Sequence, residues 1–406
     1  MKPKHGFVQE VLGGMGIACA EGAVPTALPK DEQQAAEIMA LANSRGWHIL
    51  PIGTGNQLPH VRPDSDRFDL WLSTRRMQKV VLYEPGEATI TVQPGVIWQY
   101  VQGLAAENKQ DLSPTFHAET PRTVGGVIAA GFSGLDRPLR GALRHQVLGM
   151  RVLMADGTIA VTGGRLVKNV AGFDLHRLHT GGRGQLGVIV EASLRLHNQP
   201  QETVVLGHGF ETVEAGVAAA RRLHSARLPG CGLLLQFEEA GTCRLSCSLQ
   251  GSPGLIVDSD KLAALAMDFE WDLRGAPALE NQTVAAGRFD LDPQAPWLSI
   301  TCQPTAIESV QGAIWAWLQN HSLQASGILQ PDVAQWYLGL AGAVPDTVLQ
   351  PLANALQELG AVLTPMGSLR SESWTSGALS STAVQMAVES LRQQFDPEDR
   401  LQARLA

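Results

Sequence analysis

Three glycine-centred segments are the part of this chain whose residue types could bind a negatively charged ligand. They are Thr123-Val124-Gly125-Gly126 with Gly131 and Ser133-Gly134 behind it, Lys168 to Asp174, and Gly181 to Gly187. Glycine lets a backbone N–H approach a ligand that a Cβ would hold away, and a row of such N–H groups forms an anion site. These segments therefore predict a cofactor that carries phosphate.

A further candidate lies upstream, where a predicted buried strand, Trp47 to Ile52, leads into Gly53-Thr54-Gly55-Asn56-Gln57-Leu58. Two glycines, a threonine and an asparagine at the end of a strand offer N–H groups and a hydroxyl, which suit a diphosphate. An ordinary tight turn would use the same residues. The short motif alone leaves both interpretations open.

Composition excludes several classes of function. A net charge of −8 and a pI near 5.8 argue against nucleic acid or an anionic membrane as the main partner, because both require a basic surface. The first residues contain no apolar segment typical of a signal peptide, and no apolar run approaches the ~18 residues of a membrane span. We expect a cytoplasmic protein.

The five cysteines are scattered and contain no CxxC pair, which is typical of reduced thiols. Cys243 and Cys247 lie in an alternating run that predicts a strand. No neighbouring histidine or cysteine completes a metal site there, so we interpret both as core thiols.

The first half of the chain predicts an α+β domain. Asp31 with Gln34 is typical of a helix N-cap, and Gly46 of the end of the same helix. Alternating segments then predict strands at 70–73, 80–84 and 88–92, and apolar spacing predicts a helix at 96–108. No Gly-x-Gly-x-x-Gly joins a first strand to a helix, which disfavours a nicotinamide-binding fold.

The chain beyond Gln199-Pro200 predicts a second α+β domain. Strands are expected near 204–206, 232–237, 242–249, 297–301, 334–340 and 361–364, and helices near 212–225, from 261, 307–318 and 347–359.

Several of these motifs together resemble the successive FAD contacts of the flavoprotein superfamily that includes vanillyl-alcohol oxidase and p-cresol methylhydroxylase (PCMH). The resemblance rests on Pro51 to Leu58, Pro94-Gly95, the Thr120 to Gly134 loop, Arg140 to His145 and Gly184 to Val190, within residues 22 to 200. More narrowly, Gly163 to Leu178 is similar to a segment of the FAD-binding subunit of the bacterial glycolate oxidase (glycolate dehydrogenase) complex.

The fold that the resemblance implies is a PCMH-type FAD-binding domain of two α+β subdomains with an α+β cap. We expect the FAD domain at residues 1–200, the cap at 201–385 and a C-terminal segment returning to the FAD domain at 386–406. That last segment resembles the family's returning segment, although the usual Asn-Pro-Gly is missing.

The same resemblance implies a set of FAD contacts. It places the Thr120 to Gly134 loop and the segment Gly53 to Leu58 on opposite sides of the diphosphate. It also implies backbone contacts to adenine at Val188 and Ile189. The full set is Pro51, Gly53, Thr54, Gly55, Asn56, Gln57, Leu58, Pro94, Gly95, Thr120, Thr123, Val124, Gly125, Gly126, Ala129, Ser133, Gly134, Arg140, Gly141, Arg144, Gly187, Val188 and Ile189.

Other roles stay open. Arg140 and Arg144 could balance diphosphate charge or be solvated, and His145 stands where the family usually has Asp. Lys168 and Asn169 are weak catalytic candidates, which could steer a substrate carboxylate or polarise the flavin edge, but structural roles are equally open to them. Asp174 could instead cap a helix at 175–180.

Neither a covalent link to the flavin nor a metal is expected. His117, His145, His176 and His179 are candidates for a covalent link, but surface or helix-end positions explain them, and we expect non-covalent FAD. Relatives that oxidise 2-hydroxy acids unaided often bind a metal through histidines late in the cap, whereas residues 365–372 contain none.

The resemblance implies an FAD-binding oxidoreductase subunit of a glycolate (2-hydroxy acid) dehydrogenase complex. A hydride would pass to flavin N5, and electrons would continue to an iron–sulfur subunit beside a second flavoprotein subunit, with membrane contact only through partners. A free-standing FAD-dependent dehydrogenase or oxidase of another small hydroxy acid or alcohol, and a scaffold subunit without flavin, are the alternatives.

Overall fold

The computed structural model describes residues 5–20, 24–55, 68–115, 121–134, 136–165, 174–225, 230–237, 241–252, 296–342, 344–367 and 382–401. The chain forms two compact units. The first comprises Met1–Ser133, Gly141–Gln199 and Thr382–Leu405, and the second chiefly Gly134–Arg140 and Pro200–Ser381. The divisions after Gln199 and Ser381 fall near the predicted boundaries at 200 and 385, whereas a separate place for residues 134–140 was not predicted.

Helices and strands alternate irregularly along residues 5–199. They are α1 (His5–Gly14), β1 (Ala18–Ala20), β2 (Thr26–Leu28), α2 (Glu32–Arg45), β3 (Ile49–Ile52), β4 (Leu70–Ser73), β5 (Val80–Glu84), β6 (Thr89–Val92), α3 (Trp98–Glu107), β7 (Gln110–Asp111), α4 (Val124–Ala130), α5 (Arg137–Arg140), α6 (Leu143–Gln146), β8 (Val147–Leu153), β9 (Ile159–Gly163), α7 (Leu175–His179), β10 (Val188–Arg195) and β11 (His197–Asn198).

The remaining described elements contain longer strands. They are β12 (Glu202–Phe210), α8 (Val213–Ser225), β13 (Cys231–Phe237), β14 (Cys243–Gly251), β15 (Pro296–Thr301), α9 (Ile307–Asn320), β16 (Ala325–Gln330), β17 (Gln335–Leu340), α10 (Asp346–Glu358), β18 (Val362–Gly367) and α11 (Thr382–Phe395).

The helix α2 forms as its sequence predicts. The Asp31 carboxylate accepts a hydrogen bond from the Gln34 N–H at 2.9 Å, and the left-handed Gly46 ends the helix. Ile38 and Met39 are fully buried on the face that joins the core of the first unit. The predicted cap, end and apolar face are all confirmed.

Two sheets organise the first unit. In one, in the order β1-β2-β4-β3, the strand β4 pairs in parallel with both β2 and β3. The other is fully antiparallel, in the order β5-β6-β10-β8-β9. The central position of β10 in the second sheet explains why six of its eight residues are buried. The predicted α+β class is confirmed.

The C-terminal segment belongs to the first unit. Leu401 is fully buried in the same core as α2, and it forms a parallel bridge with Ile49 of β3. The Ile49 N–H donates to the Arg400 carbonyl at 2.7 Å, and the Asp396 carboxylate accepts from the Leu401 N–H at 2.6 Å. Residues 396–401 are therefore fixed by both backbone pairing and apolar packing.

The second unit contains one antiparallel sheet in the order β12-β14-β13-β16-β17-β15-β18. Apolar residues of α8, α9 and α10 share one core with this sheet, and the core includes the fully buried Trp336 of β17. Cys243 and Cys247 are buried in this core, as predicted, and neither forms a disulfide. The strand β16 was not predicted, and the helix expected from residue 261 lies outside the described residues.

Among the helices that the structure describes, none has the length and apolarity that crossing a membrane requires.

Candidate functional site

A cleft in the first unit collects most of the glycine-rich segments. Its lining comes from the ends of strands, the start of α4 and the segment before β10. The lining residues are Pro51, Ile52, Gly53, Thr74, Pro94, Gly125, Gly126, Ala129, His179, Gly182, Arg183, Gly184, Leu186, Gly187, Val188 and Ile189.

Thr123 connects two of these segments. Its side chain caps α4 by accepting a hydrogen bond from the Gly126 N–H at 3.2 Å, and it is almost fully buried. A Cβ on Gly53 would overlap the Thr123 Oγ1, so only glycine fits at the end of β3. The hydroxyl therefore both begins the helix and fixes how closely the two segments approach.

The segment Val124 to Ala130 is a helix rather than the loop we expected. Thr123 supplies a standard N-cap, which outweighs the low helix propensity of two glycines. The Gly125 N–H donates to the Pro94 carbonyl at 2.9 Å, and a Cβ on Gly125 would lie 2.6 Å from the Cβ of Pro94. The N–H groups of Gly125 and Gly126 thus already have protein acceptors, and these glycines serve close packing.

N–H groups without an acceptor lie elsewhere on the cleft. Within the described part of the chain, the N–H groups of Gly53, Gly184 and Gly187 have no hydrogen-bond acceptor. Gly187 has φ 151°, and a Cβ there would overlap Val152. These three N–H groups are available to an anionic ligand.

The segment Gly181 to Arg183 is attached to the C-terminal end of α4. The Gly181 N–H donates to the Ile128 carbonyl and the Arg183 N–H to the Ala129 carbonyl, both at 2.9 Å. Carbonyls at the end of a helix need such donors. The attachment sets the position of the Arg183 backbone relative to α4.

Two histidines near the cleft are neutral at pH 7. Burial, followed by the neighbouring His176, lowers the pKa of His179 to about 4, and burial likewise lowers the pKa of His176. The His179 ring lies edge-on to Phe395 of α11, with 5.8 Å between centroids. His179 therefore offers the cleft a neutral imidazole.

The predicted contact residues fall into three groups. Nine line the cleft: Pro51, Gly53, Pro94, Gly125, Gly126, Ala129, Gly187, Val188 and Ile189. Ten are described but do not line it: Thr54, Gly55, Gly95, Thr123, Val124, Ser133, Gly134, Arg140, Gly141 and Arg144. Asn56, Gln57, Leu58, Thr120 and the catalytic candidates Lys168 and Asn169 lie outside the described residues.

Several residues of the second group have local structural contacts. The Gly95 N–H donates to the Met77 carbonyl at 2.8 Å, and the Ser133 Oγ accepts from the Leu143 N–H at 3.1 Å. Arg144 is exposed, and its Nε donates to the His145 ring at 3.1 Å.

Asp174 precedes α7 without capping it. Its side chain makes no cap hydrogen bond and instead pairs with Arg177 at 3.0 Å. Asp174 therefore occupies the N-cap position that the sequence left open to it, but without the cap hydrogen bond.

Seven residues of the lining were not in the predicted set: Ile52, Thr74, His179, Gly182, Arg183, Gly184 and Leu186. Four of them belong to the third glycine-centred segment. The resemblance placed FAD contacts within Gly184 to Val190, but the set of contact residues named only Gly187 from this segment, and neither Gly182 nor Arg183 was predicted.

Comparison with known proteins finds similarity to an FAD-binding domain in part of the first unit. Residues 25–163 match the family described as "FAD binding domain". The chain is 34% identical over 146 residues to "Glycolate oxidase subunit GlcE" of Escherichia coli, covering 36% of this chain and 41% of that one. It is 28% identical over 200 residues to "Glycolate oxidase subunit GlcD" of Bacillus subtilis, covering 49% and 42%.

Other relatives have different substrates in their names. "D-lactate dehydrogenase" of Archaeoglobus fulgidus is 27% identical over 242 residues, which cover 60% of this chain and 53% of that one. The alignments thus span about half the length of these curated relatives or less. Among solved structures, an alkyldihydroxyacetonephosphate synthase matches with a TM-score of 0.68 at 17% identity, covering 93% of this chain and 76% of that one, which supports the fold alone.

The geometry of the cleft fits such a cofactor. Free N–H groups at Gly53, Gly184 and Gly187 suit the oxygens of a diphosphate, and the apolar Val188 and Ile189 suit a flat ring system. Residues 25–163 of this chain thus match an FAD-binding domain, and the cofactor is FAD.

Proposed function

We propose that this chain is the FAD-binding subunit of a glycolate-type 2-hydroxy acid dehydrogenase. The observation that carries the proposal is the cleft of the first unit, taken together with the similarity of this chain to proteins named for glycolate, D-lactate and D-2-hydroxyglutarate oxidation. When bound, FAD supplies the two-electron acceptor that oxidation of an alcohol carbon requires. The residues of this chain bind and orient it.

The proposal includes non-covalent attachment. His179 is the described histidine on the cleft lining, and the pKa that burial lowers to about 4 makes it a neutral packing group against Phe395. Lys168 and Asn169 remain candidates for contacts with the substrate carboxylate. Acid precipitation of the holoprotein is expected to leave all of the flavin in the supernatant.

Partner subunits are a further part of the proposal. Two relatives are named as subunits of one enzyme, glycolate oxidase, and the five scattered cysteines of this sequence lack the spacing of an iron–sulfur site. We infer an assembly with a second flavoprotein subunit and an iron–sulfur subunit that removes electrons from the flavin. A cytoplasmic location, with membrane contact through partners, belongs to the same proposal.

The alternative is a free-standing dehydrogenase, which the alignment with D-lactate dehydrogenase favours. Anaerobic addition of glycolate, D-lactate or D-2-hydroxyglutarate to the FAD-loaded chain separates the two, with L-lactate as control. If the chain alone loses its visible flavin absorbance, it is free-standing. If the absorbance is lost only after co-expression with second flavoprotein and iron–sulfur subunits, the complex is supported, and no loss in either sample contradicts both.

A further inference from the structure

Arg183 has an unusual place for an arginine. It lies on the lining of the cleft, its backbone is left-handed with φ 51°, and its N–H is bonded to the Ala129 carbonyl of α4. The side chain is partly buried, and burial lowers the pKa of its guanidinium. A cation is thus held at the cleft by a backbone conformation that only a few residue types adopt readily.

No protein carboxylate balances this cation among the described residues. Arg183 forms no salt bridge there, and the described lining contains neither Asp nor Glu. Because His179 is neutral at pH 7, Arg183 carries the formal charge of the described lining. A desolvated cation without a partner is costly, so its place here is best explained by a ligand that brings negative charge.

The groups around Arg183 indicate which anion this is. The free N–H groups of Gly53, Gly184 and Gly187 line the same cleft, so the site offers several donors as well as a guanidinium. A carboxylate has two oxygens to share among these donors, whereas a diphosphate has enough oxygens to accept a hydrogen bond from each of them. A guanidinium also matches phosphate oxygens with two parallel hydrogen bonds.

We propose that Arg183 is the cation that pairs with the diphosphate of FAD, in place of the predicted Arg140 and Arg144. The inference rests on FAD as cofactor and deepens the proposed function without depending on the substrate. It makes the third glycine-centred segment a binding element through a side chain as well as through its backbone.

The test is ligand binding by the full-length apoprotein, without turnover. Three ligands are titrated by calorimetry: FAD, ADP, which carries the diphosphate and adenosine alone, and riboflavin, which carries no phosphate. Arg183→Gln is expected to weaken FAD and ADP about ten- to a hundredfold, as for loss of a charged hydrogen-bond partner, and to leave riboflavin unchanged. The affinities of Arg183→Lys for FAD and ADP should lie between those of Arg183→Gln and the wild type. Lysine keeps the charge but lacks the planar guanidinium that forms two parallel hydrogen bonds.

Arg177→Gln is the matched control. Arg177 is on the neighbouring α7, half exposed and paired with Asp174, and does not line the cleft, so its loss should leave all three affinities unchanged. Thermal unfolding of apo Arg183→Gln checks folding, and its Tm should equal or exceed that of the wild type because an unpaired cation is removed.

Equal FAD and ADP affinity in Arg183→Gln and the wild type would overturn the inference while FAD binding by the wild type stands. If Arg183→Gln then also binds a 2-hydroxy acid more weakly, Arg183 is assigned to the substrate carboxylate instead. If the wild type itself binds no FAD, the inference fails with the proposed function.

Discussion

Gly53 and Thr123 lie so close together that the size of one limits the other. A Cβ at position 53 would overlap the Thr123 Oγ1, and that same oxygen caps α4. The pair therefore couples the end of β3 to the start of α4. Both elements line the cleft, so the coupling reaches the candidate FAD site.

A double-mutant cycle tests this coupling. Thr123→Ala alone should cost about 1 kcal/mol of unfolding free energy through loss of the cap. Gly53→Ala alone should cost about 1–3 kcal/mol through overpacking and weaken FAD binding. With the Thr123 hydroxyl removed, the methyl group that Gly53→Ala introduces has room in the double variant. The double variant should therefore lose clearly less unfolding free energy than the sum of the two single variants, as measured by urea unfolding.

The control for Gly53→Ala is Gly103→Ala. Gly103 is exposed in α3, and no atom lies within 4 Å of a Cβ placed there, so alanine should stabilise the helix slightly. Additive costs at positions 53 and 123 would show that the two residues do not interact in this way.

His179 predicts a pH dependence of stability. Its pKa is about 4 when folded against 6.5 as its ordinary value, so the unfolded chain takes up a proton first as the pH falls. The stability is complete above pH ~6.5 and falls as the pH decreases towards 4, by up to about 3 kcal/mol from this group. In His179→Met the loss between pH 6.5 and 4.5 should be smaller in urea unfolding.

Val161→Ala provides the comparison, since Val161 is exposed and not titratable, and its truncation should leave the pH dependence as in the wild type. An unchanged acid loss in His179→Met would show that His179 is not a buried neutral group.

At the scale of elements, the C-terminal segment completes the core beneath β3. Leu401 is fully buried beside α2, and its backbone is held by Asp396 and Ile49. The strand β3 leads directly to Gly53 and the cleft. The segment therefore supports the site from outside it.

Leu401→Ala is expected to destabilise the first unit by about 2–5 kcal/mol through the cavity it leaves. Chemical denaturation, monitored through the release of FAD, measures this loss of stability. Val161→Ala is the matched control in the same unit, because Val161 is 68% exposed and its truncation should cost little. Equal stabilities of the two variants would mean that the C-terminal segment does not pack in the core.

Elements marked by local signals could be predicted, and elements that depend on distant partners could not. Asp31 with Gln34 fixes the start of α2 within four residues, and the sequence alone was sufficient. Leu401 pairs with Ile49 across most of the chain, and no local pattern reports that bridge. The helix α4 was missed because two glycines obscured a valid N-cap.

The candidate site shows the same limit. The glycine segments were recognisable as ligand-binding because close backbone approach requires that residue type. Which N–H groups remain free depends on long-range acceptors such as the Pro94 carbonyl, and so the sequence could not choose between Gly125 and Gly184. Arg183 was missed because its backbone position depends on a hydrogen bond to α4, more than fifty positions earlier.

In the whole molecule, the first unit carries the candidate FAD site. Its two sheets, the helix α4 and the C-terminal segment position one cleft. The second unit supplies an antiparallel sheet with its own core. The proposed substrate and the proposed partner subunits both require that the chain binds FAD.

The most direct measurement is the visible spectrum of the purified chain, taken as isolated and after adding FAD and removing the excess, with the supernatant analysed after acid precipitation. We expect a yellow protein that releases about one FAD per chain into the acid supernatant. A colourless protein that retains no FAD after incubation would contradict it and favour the scaffold alternative. A flavin that stays in the acid pellet would contradict non-covalent binding.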